Sequence, residues 1–302
     1  MTTFSPVSCF SYLASVHTLN VERYPEINYG VEVLDSDQFL AGDGPLVAGF
    51  LRALGHQATL GSNQVGDDTA GRDILTRLYA WDVTLAPSTM SVTRTRTNVV
   101  VCDRDGNRTW FSGLRGIVPE LADIDVRALA SAPTVYIDCY EVLETAPRAL
   151  LRAALDAGAE IVLNLGGSPP PRWLAAAAGG RRVSVAQTNG DENDPAKAQR
   201  TLNTLTELGI ADIAVVTTGR QGAIARPGDG QVIATPAVPV DVRQVQGAGS
   251  AFSAALIHAR SCGQELPGCL RYACAAGSLW CSRTADGPLP SAADITAAMH
   301  AG

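Results

Sequence analysis

The sequence is poor in several features that place a chain in a class at a glance. Charged residues make up 18% and aromatic residues 6% of its 302 positions, and no run approaches the roughly 18 consecutive apolar residues of a membrane span, so no membrane partner is expected. Lys and Arg (23) are outnumbered by Asp and Glu (30) and nowhere cluster, and the net charge of −7 argues against a nucleic-acid partner. The seven cysteines are odd in number and include no C-x-x-C pair, which excludes a disulfide framework or a zinc site on this reading. His17, His56, His258 and His300 lack metal-ligand spacing and read as surface or packing residues. Residues 1–13 show no basic segment followed by a long apolar one, and a cytoplasmic location is the expectation. There is no low-complexity segment and no internal repeat, and the run Pro169, Pro170, Pro171 is a kink in a loop.

What is present is apolar and patterned. Residues of the set AVILMFWYC fill 46% of the chain, enough to bury a large core, and one domain over residues 1–302 is expected. Runs rich in β-branched residues at 134–137, 160–165, 182–185 and 213–217 alternate with helical patterns, which implies an α/β fold with a mostly parallel sheet covered on both faces. The helical patterns cover 45–54, 69–79, 146–157, 195–208, 250–261 and 266–280, and several stop at a glycine: Gly55, Gly158, Gly209 or Gly263. Two regions break the rhythm, 16–40 and 91–112, and read as antiparallel strands and a hairpin with a turn at Asp105, Gly106 and Asn107. They form an appendage outside the parallel sheet, in the position of a lid.

Four short motifs carry chemistry. Gly247, Ala248 and Gly249 feed a helix of small residues, so backbone N–H groups and the helix dipole converge where an anion would sit, although the same letters start ordinary helices. Gly66, Asp67, Asp68 and Gly71 open a helix after the strand at 58–60, and capping and ligand contact are both open readings. Asn189 and Glu192 follow the strand that begins near Val183, at the sheet end where α/β proteins bind ligands; they suit a hydrated Mg²⁺ or an Asx turn equally. Thr218, Gly219 and Gly222 end another buried strand in a turn that fits either a nucleotide or a tight hairpin.

Taken in order, these pieces resemble the ribokinase-like, or PfkB, carbohydrate kinases over about residues 8–290. Ala41, Gly42, Asp43, Gly44 and Pro45 through Leu54 and Gly55 look like the family's first glycine-rich signature, and Gly66 to Gly71 is similar to its G-x-D-x-x-G element. Asn189 to Glu192 resembles its N-x-x-E magnesium motif, Thr218, Gly219 and Gly222 its nucleotide-contacting turn, and Gly247, Ala248 and Gly249 its anion hole. Ala275, Ala276 and Gly277 through Asp286 and Gly287 look like the helix and loop that flank the adenine. The resemblance implies a three-layer α/β/α sandwich with a small β lid, ATP and Mg²⁺ at one end of the sheet, a small hydroxylated substrate between lid and core, and homodimers through the lid.

Departures from the pattern bear on function. The family's second signature reads Asp-Thr-x-Gly-Ala-Gly-Asp, and this chain has Gln244, Val245, Gln246, Gly247, Ala248, Gly249 and Ser250. Ser250 stands where the resemblance places the general base, and an aliphatic hydroxyl does not accept a proton alone at neutral pH; loss of a positioned base costs about 10²–10⁴ in rate. Leu46 replaces the sugar-contacting asparagine, and Thr18 and Asn20 are the nearest polar substitutes for a sugar-holding aspartate near the N-terminus. An acceptor with fewer hydroxyls than a free sugar is expected. Asp43, Asp67 and Asp138 lie at loop edges near the acceptor side, and Asp43 is the leading replacement base, with a capping or solvent-facing role as its rival. Arg94, Arg96, Arg108 and Arg115 read either as charges of an exposed strand face, the favoured account, or as contacts for an already anionic substrate. The resulting expectation is a slow or atypical phosphotransferase acting on a hydroxyl of a sugar- or nucleoside-like molecule. The alternatives are a pseudo-kinase that binds without turnover and, third, a pocket recruited for other chemistry.

Overall fold

The structure is a computed structural model and describes residues 4–88, 92–104, 108–284 and 287–301. The turn expected at Asp105, Gly106 and Asn107, the lid position Ser91 and the loop position Asp286 lie outside the described residues.

Nine strands form the main sheet: β1 (Val7–Phe10), β4 (Ala58–Gly61), β5 (Thr84–Leu85), β8 (Thr134–Asp138), β9 (Glu160–Asn164), β10 (Val183–Asn189), β11 (Ala211–Thr217), β12 (Ala223–Pro227) and β13 (Ile233–Thr235), in the order β13-β12-β11-β10-β9-β8-β1-β4-β5. All neighbours from β11 to β5 are parallel, and β12 and β13 add an antiparallel edge. Strands such as β8, β9 and β11 are buried along nearly their whole length, as two helical layers require of a central parallel strand. The helices are α1 (Asp43–Ala53), α2 (Thr69–Ala80), α3 (Ile117–Ala122), α4 (Val126–Ala130), α5 (Pro147–Ala157), α6 (Leu174–Ala178), α7 (Pro195–Glu207), α8 (Ala248–Ser261), α9 (Leu266–Cys281) and α10 (Ala292–Ala301). The expected mostly parallel α/β architecture is therefore present.

A second sheet, ordered β3-β2-β6-β7, is built from β2 (Ala14–Val21), β3 (Val33–Ala41), β6 (Thr97–Cys102) and β7 (Arg108–Phe111). It occupies the two segments expected for the lid. One expectation is corrected: β2 and β6 pair in parallel, while only the β2/β3 and β6/β7 pairs are antiparallel. Alternation of apolar and polar residues fixes which side chains share a face and carries no information on strand direction. Thr18 and Asn20 alternate with Leu19 and Val21, so the two polar side chains share one face, and Thr18 meets Gln246 of the main body there.

Candidate active site

The centre of the site is the meeting of two helix starts. Gly247 takes φ 78° and ends the preceding loop, where the Trp280 Nε1–H donates to the Gln246 carbonyl at 2.6 Å and Gln246 Nε2 donates to Thr18 Oγ1 at 2.9 Å. Among the described residues the amides of Gly249 and Ser250 have no acceptor, and that of Ala248 has only a long 3.5 Å contact with the Val245 carbonyl. The side of the helix at Gly249 is open, since a Cβ added there would meet no atom within 4 Å. Two N–H groups without an acceptor among the described residues thus lie at the positive end of a 14-residue helix.

Asp43 opens α1, where its charge complements the helix dipole, and its carboxylate reaches the start of α8. Oδ1 accepts the Ser250 hydroxyl at 2.7 Å, while Oδ2 accepts from Asn164 Nδ2 at 3.0 Å and from the Tyr140 hydroxyl. Backbone strain is absorbed by Gly42, at φ 110°, because a Cβ there would lie 2.1 Å from the Tyr12 carbonyl. Asp138 and Asn164 are register partners at the C-terminal ends of β8 and β9. Asp138 Oδ1 accepts from Tyr136 at 2.8 Å and from Asn164 Nδ2 at 3.0 Å, and its Oδ2 accepts the Gly44 amide at 3.0 Å. Burial, and then the neighbouring Asp43 carboxylate, push the Asp138 carboxyl up to about 7. The same causes, burial foremost, hold the phenols of Tyr136 and Tyr140 well above their ordinary range, so both remain donors at neutral pH.

Farther along the same end of the sheet, β10 ends at Asn189, whose Oδ1 accepts from Thr217 Oγ1 at 3.2 Å across the parallel β10/β11 pair. Glu192 is held by Arg220, which donates its main-chain amide at 3.1 Å and its Nη2 and Nε at 2.7 and 3.1 Å. Those hydrogen bonds, with the guanidinium charge, draw the Glu192 carboxyl below its ordinary range. A Cβ on Gly219, at φ 53°, would lie 2.0 Å from Glu192 Oε2, so only glycine lets this turn close against the carboxylate. Thr218 closes the turn through its amide and hydroxyl, 2.8 and 3.2 Å from the Gly222 carbonyl.

Solved structures share this frame along its entire length. The fold is ribokinase-like. A ribokinase of Arabidopsis thaliana complexed with ribose and ATP superposes with a TM-score of 0.78 at 19% identity, covering 98% of this chain and 99% of that one. A ribokinase of Cryptococcus neoformans in complex with ADP gives 0.77 at 16% identity, and a nucleoside kinase of Methanocaldococcus jannaschii gives 0.72 at 17%, each covering 100% of both chains. Residues 181–292 match the model of the pfkB family carbohydrate kinases, which spans β10 through the start of α10 and includes Asn189, Glu192, the Gly219 turn and the α8 cradle. Among curated proteins there is no match.

Within the ribokinase-like fold, the expected site residues separate into groups. Asp43, Asp138, Gly42 and Ser250 converge on one cluster, and Thr18 joins the loop that leads to Gly247, Ala248 and Gly249. Asn20 lies on the same lid face as Thr18, two residues along β2. Leu46 is buried and packs beneath Gly247, and Ala276 is buried in α9. Gly277 lets α9 approach α8, since a Cβ there would sit 3.2 Å from the Ala248 carbonyl. Asp67 instead projects into solvent with its side chain 96% exposed, paired with Arg72 at 2.8 Å. Its neighbour Asp68 does the local work: it caps α2 through the Gly71 amide at 2.8 Å and accepts from Thr95 Oγ1 at 2.6 Å. Those bonds draw it down to about 2.

Tyr136, Tyr140 and Asn164 were not singled out by the sequence. Asn164 had a readable signal, a polar residue closing the apolar run of β9 at the sheet end where ligands bind. The oxygens of Asn189 and Glu192 are hard donors suited to a hydrated Mg²⁺, and among the described residues no group of three or more His, Cys, Asp or Glu could cage an ion directly. Glu192 is engaged by Arg220, so an ion there would compete with the guanidinium for the carboxylate. Among the described residues no helix is long and apolar enough to cross a membrane.

Proposed function

We propose that this chain is an ATP-dependent phosphotransferase acting on a hydroxyl of a small sugar- or nucleoside-like molecule, with Asp43 as the general base. One observation carries the reading: a carboxylate, Asp43, is hydrogen-bonded to the Ser250 hydroxyl beside the unpaired amides of Gly249 and Ser250. The proton acceptor absent from position 250 is thus supplied from α1, and the anion receptor is retained.

In this reading the amides of Ala248, Gly249 and Ser250 hold the oxygens of the transferring phosphoryl group, and the α8 dipole adds to their field. Asp43 takes the proton of the acceptor hydroxyl as the oxygen attacks. Tyr140 and Asn164 fix the carboxylate through Oδ2 and leave Oδ1 pointed at the cradle. Asn189 and Glu192 would hold a hydrated Mg²⁺, which would supply charge neutralisation to the phosphates. The turn of Thr218, Gly219 and Gly222 flanks the nucleotide, and Thr18 and Asn20 present the lid's polar face to the acceptor. The opposite lid face, with exposed Val33 and Phe111 lining an apolar groove, supports pairing of two copies through the lid.

The test is phosphoryl transfer by Asp43→Asn against the parent, read as ADP release over a panel of neutral polyols and nucleosides. The expected result is a loss of about 10²–10⁴ in turnover with ATP binding retained. Turnover equal to the parent's removes Asp43 from the chemistry.

A further inference from the structure

We infer that Ser250 is itself a phosphoryl acceptor, so that the chain incubated with ATP and no small-molecule acceptor phosphorylates its own cradle. The inference rests on the phosphotransfer reading above and goes beyond it, because it assigns a modification site to the residue that occupies the base position. Three features of the structure converge on it. The Ser250 hydroxyl donates to the Asp43 carboxylate at 2.7 Å, which is the arrangement that activates an alcohol for attack. The amide of the same residue has no acceptor among the described residues and belongs to the proposed anion cradle. Within one serine, N and Oγ are separated by only two carbons, so a phosphoryl group bound to this amide lies roughly 3–4 Å from Oγ, near the reacting distance. Ser250 is fully buried, so the reaction requires the start of α8 to open enough for the γ-phosphate to reach Oγ, and water reaches it no more easily.

The step balances with ATP as the only co-reactant. The Ser250 Oγ–P bond forms, the bond from the γ-phosphorus to the ADP oxygen breaks, and the hydroxyl proton moves to Asp43 Oδ1. ADP leaves. The protonated Asp43 then donates a hydrogen bond to the phosphoserine, whose other oxygens take the amides of Gly249 and Ser250. The cradle is thereby filled by the chain's own ester, and a second phosphoryl group is kept out. An acceptor alcohol bound between lid and core intercepts the phosphoryl group first, so substrate protects Ser250.

The experiment is mass spectrometry of the intact parent after incubation with Mg²⁺ and ATP, followed by peptide mapping; it needs no variant to fold and no knowledge of the acceptor. Expected are no more than one phosphoryl group per chain, located at Ser250, none in Ser250→Ala, and labelling at least 100-fold slower in Asp43→Asn. A parent that binds ATP by calorimetry, or phosphorylates any member of the acceptor panel, yet stays unlabelled at Ser250 overturns this inference and leaves the phosphotransfer reading standing. Label on another residue, or labelling as fast in Asp43→Asn, overturns it as well. A parent that neither binds ATP nor takes up label removes both.

Discussion

Charge at the site is placed residue by residue, and each ionised group has a specific counterpart. Asp43 is met by the neutral donors Ser250, Tyr140 and Asn164, while Glu192 is met by the guanidinium of Arg220. The two cases differ in solvent. The Arg220 side chain is 78% exposed, so solvent and salt screen its pairing with Glu192 despite good geometry. In the proposed reading, a hydrated cation held by Glu192 would compete with that arginine, and the competition would weaken metal binding modestly. Arg220→Ala is therefore expected to lower the Mg²⁺ concentration for half-maximal ATP binding about two- to fivefold, read by calorimetric titration at fixed ATP. A higher requirement in the variant would assign Arg220 to the phosphates instead. Raising ionic strength should shrink the difference between parent and variant, because the exposed pair is screened by salt.

At the scale of elements, the proposed anion cradle depends on how α8 starts, and α8 starts from a position only glycine fills easily. Gly247 is left-handed, and a Cβ there would come 2.9 Å from Trp280 Nε1 and 3.2 Å from Leu46 Cδ1. Gly247→Ala is expected to cost about 1–3 kcal/mol, from the left-handed conformation and the displaced Trp280–Gln246 hydrogen bond, and to weaken ATP binding tenfold or more. Denaturant unfolding and calorimetry on one sample separate the two losses. The Gly-Ala-Gly turn was legible because its backbone demand is written in residue type. So were β8, β9, β10 and β11, whose β-branched runs fit a sheet buried on both faces. The Asp43–Ser250 contact was not legible, since 207 residues separate the partners and only the packing of α1 on α8 joins them. Nor was the exchange of roles between Asp67 and Asp68: both follow Gly66, and the direction of the first turn of α2 decides which one faces Thr95. Leu46 read as a ligand position because it occupies the place of a polar residue, whereas in the fold it supports Gly247 from below.

Across the whole molecule, two buried groups in separate clusters, Asp138 and His258, set opposing pH dependences of stability. Asp138 faces Asp43, Tyr136, Cys9 and Cys139, and its carboxyl is raised to about 7. Between its ordinary value near 4 and that value, the unfolded chain has lost the proton that the folded chain keeps, so this group lowers stability as pH rises. His258 faces His56, Phe4, Cys262 and Tyr272, with His56 Nε2 at 3.1 Å from its Nδ1. Burial, and then His56, lower it to about 4, so between pH 4 and 6.5 the unfolded chain binds a proton that the folded chain refuses. Stability from this pair is thus lost as pH falls through the same window in which Asp138 favours the folded state. The parent should therefore show a shallow profile between about pH 4.5 and 6.5, with the two slopes offsetting. Asp138→Asn removes the falling contribution, and its melting temperature should climb with pH relative to the parent's. His258→Gln removes the rising one and should give the reverse tilt. Thermal unfolding of the three proteins across that range checks both signs, and parallel profiles would show that neither group titrates differently on folding. Below pH 4 all three should lose stability together, because Asp68, drawn down to about 2 by Thr95 and Gly71, is protonated there in the unfolded chain first.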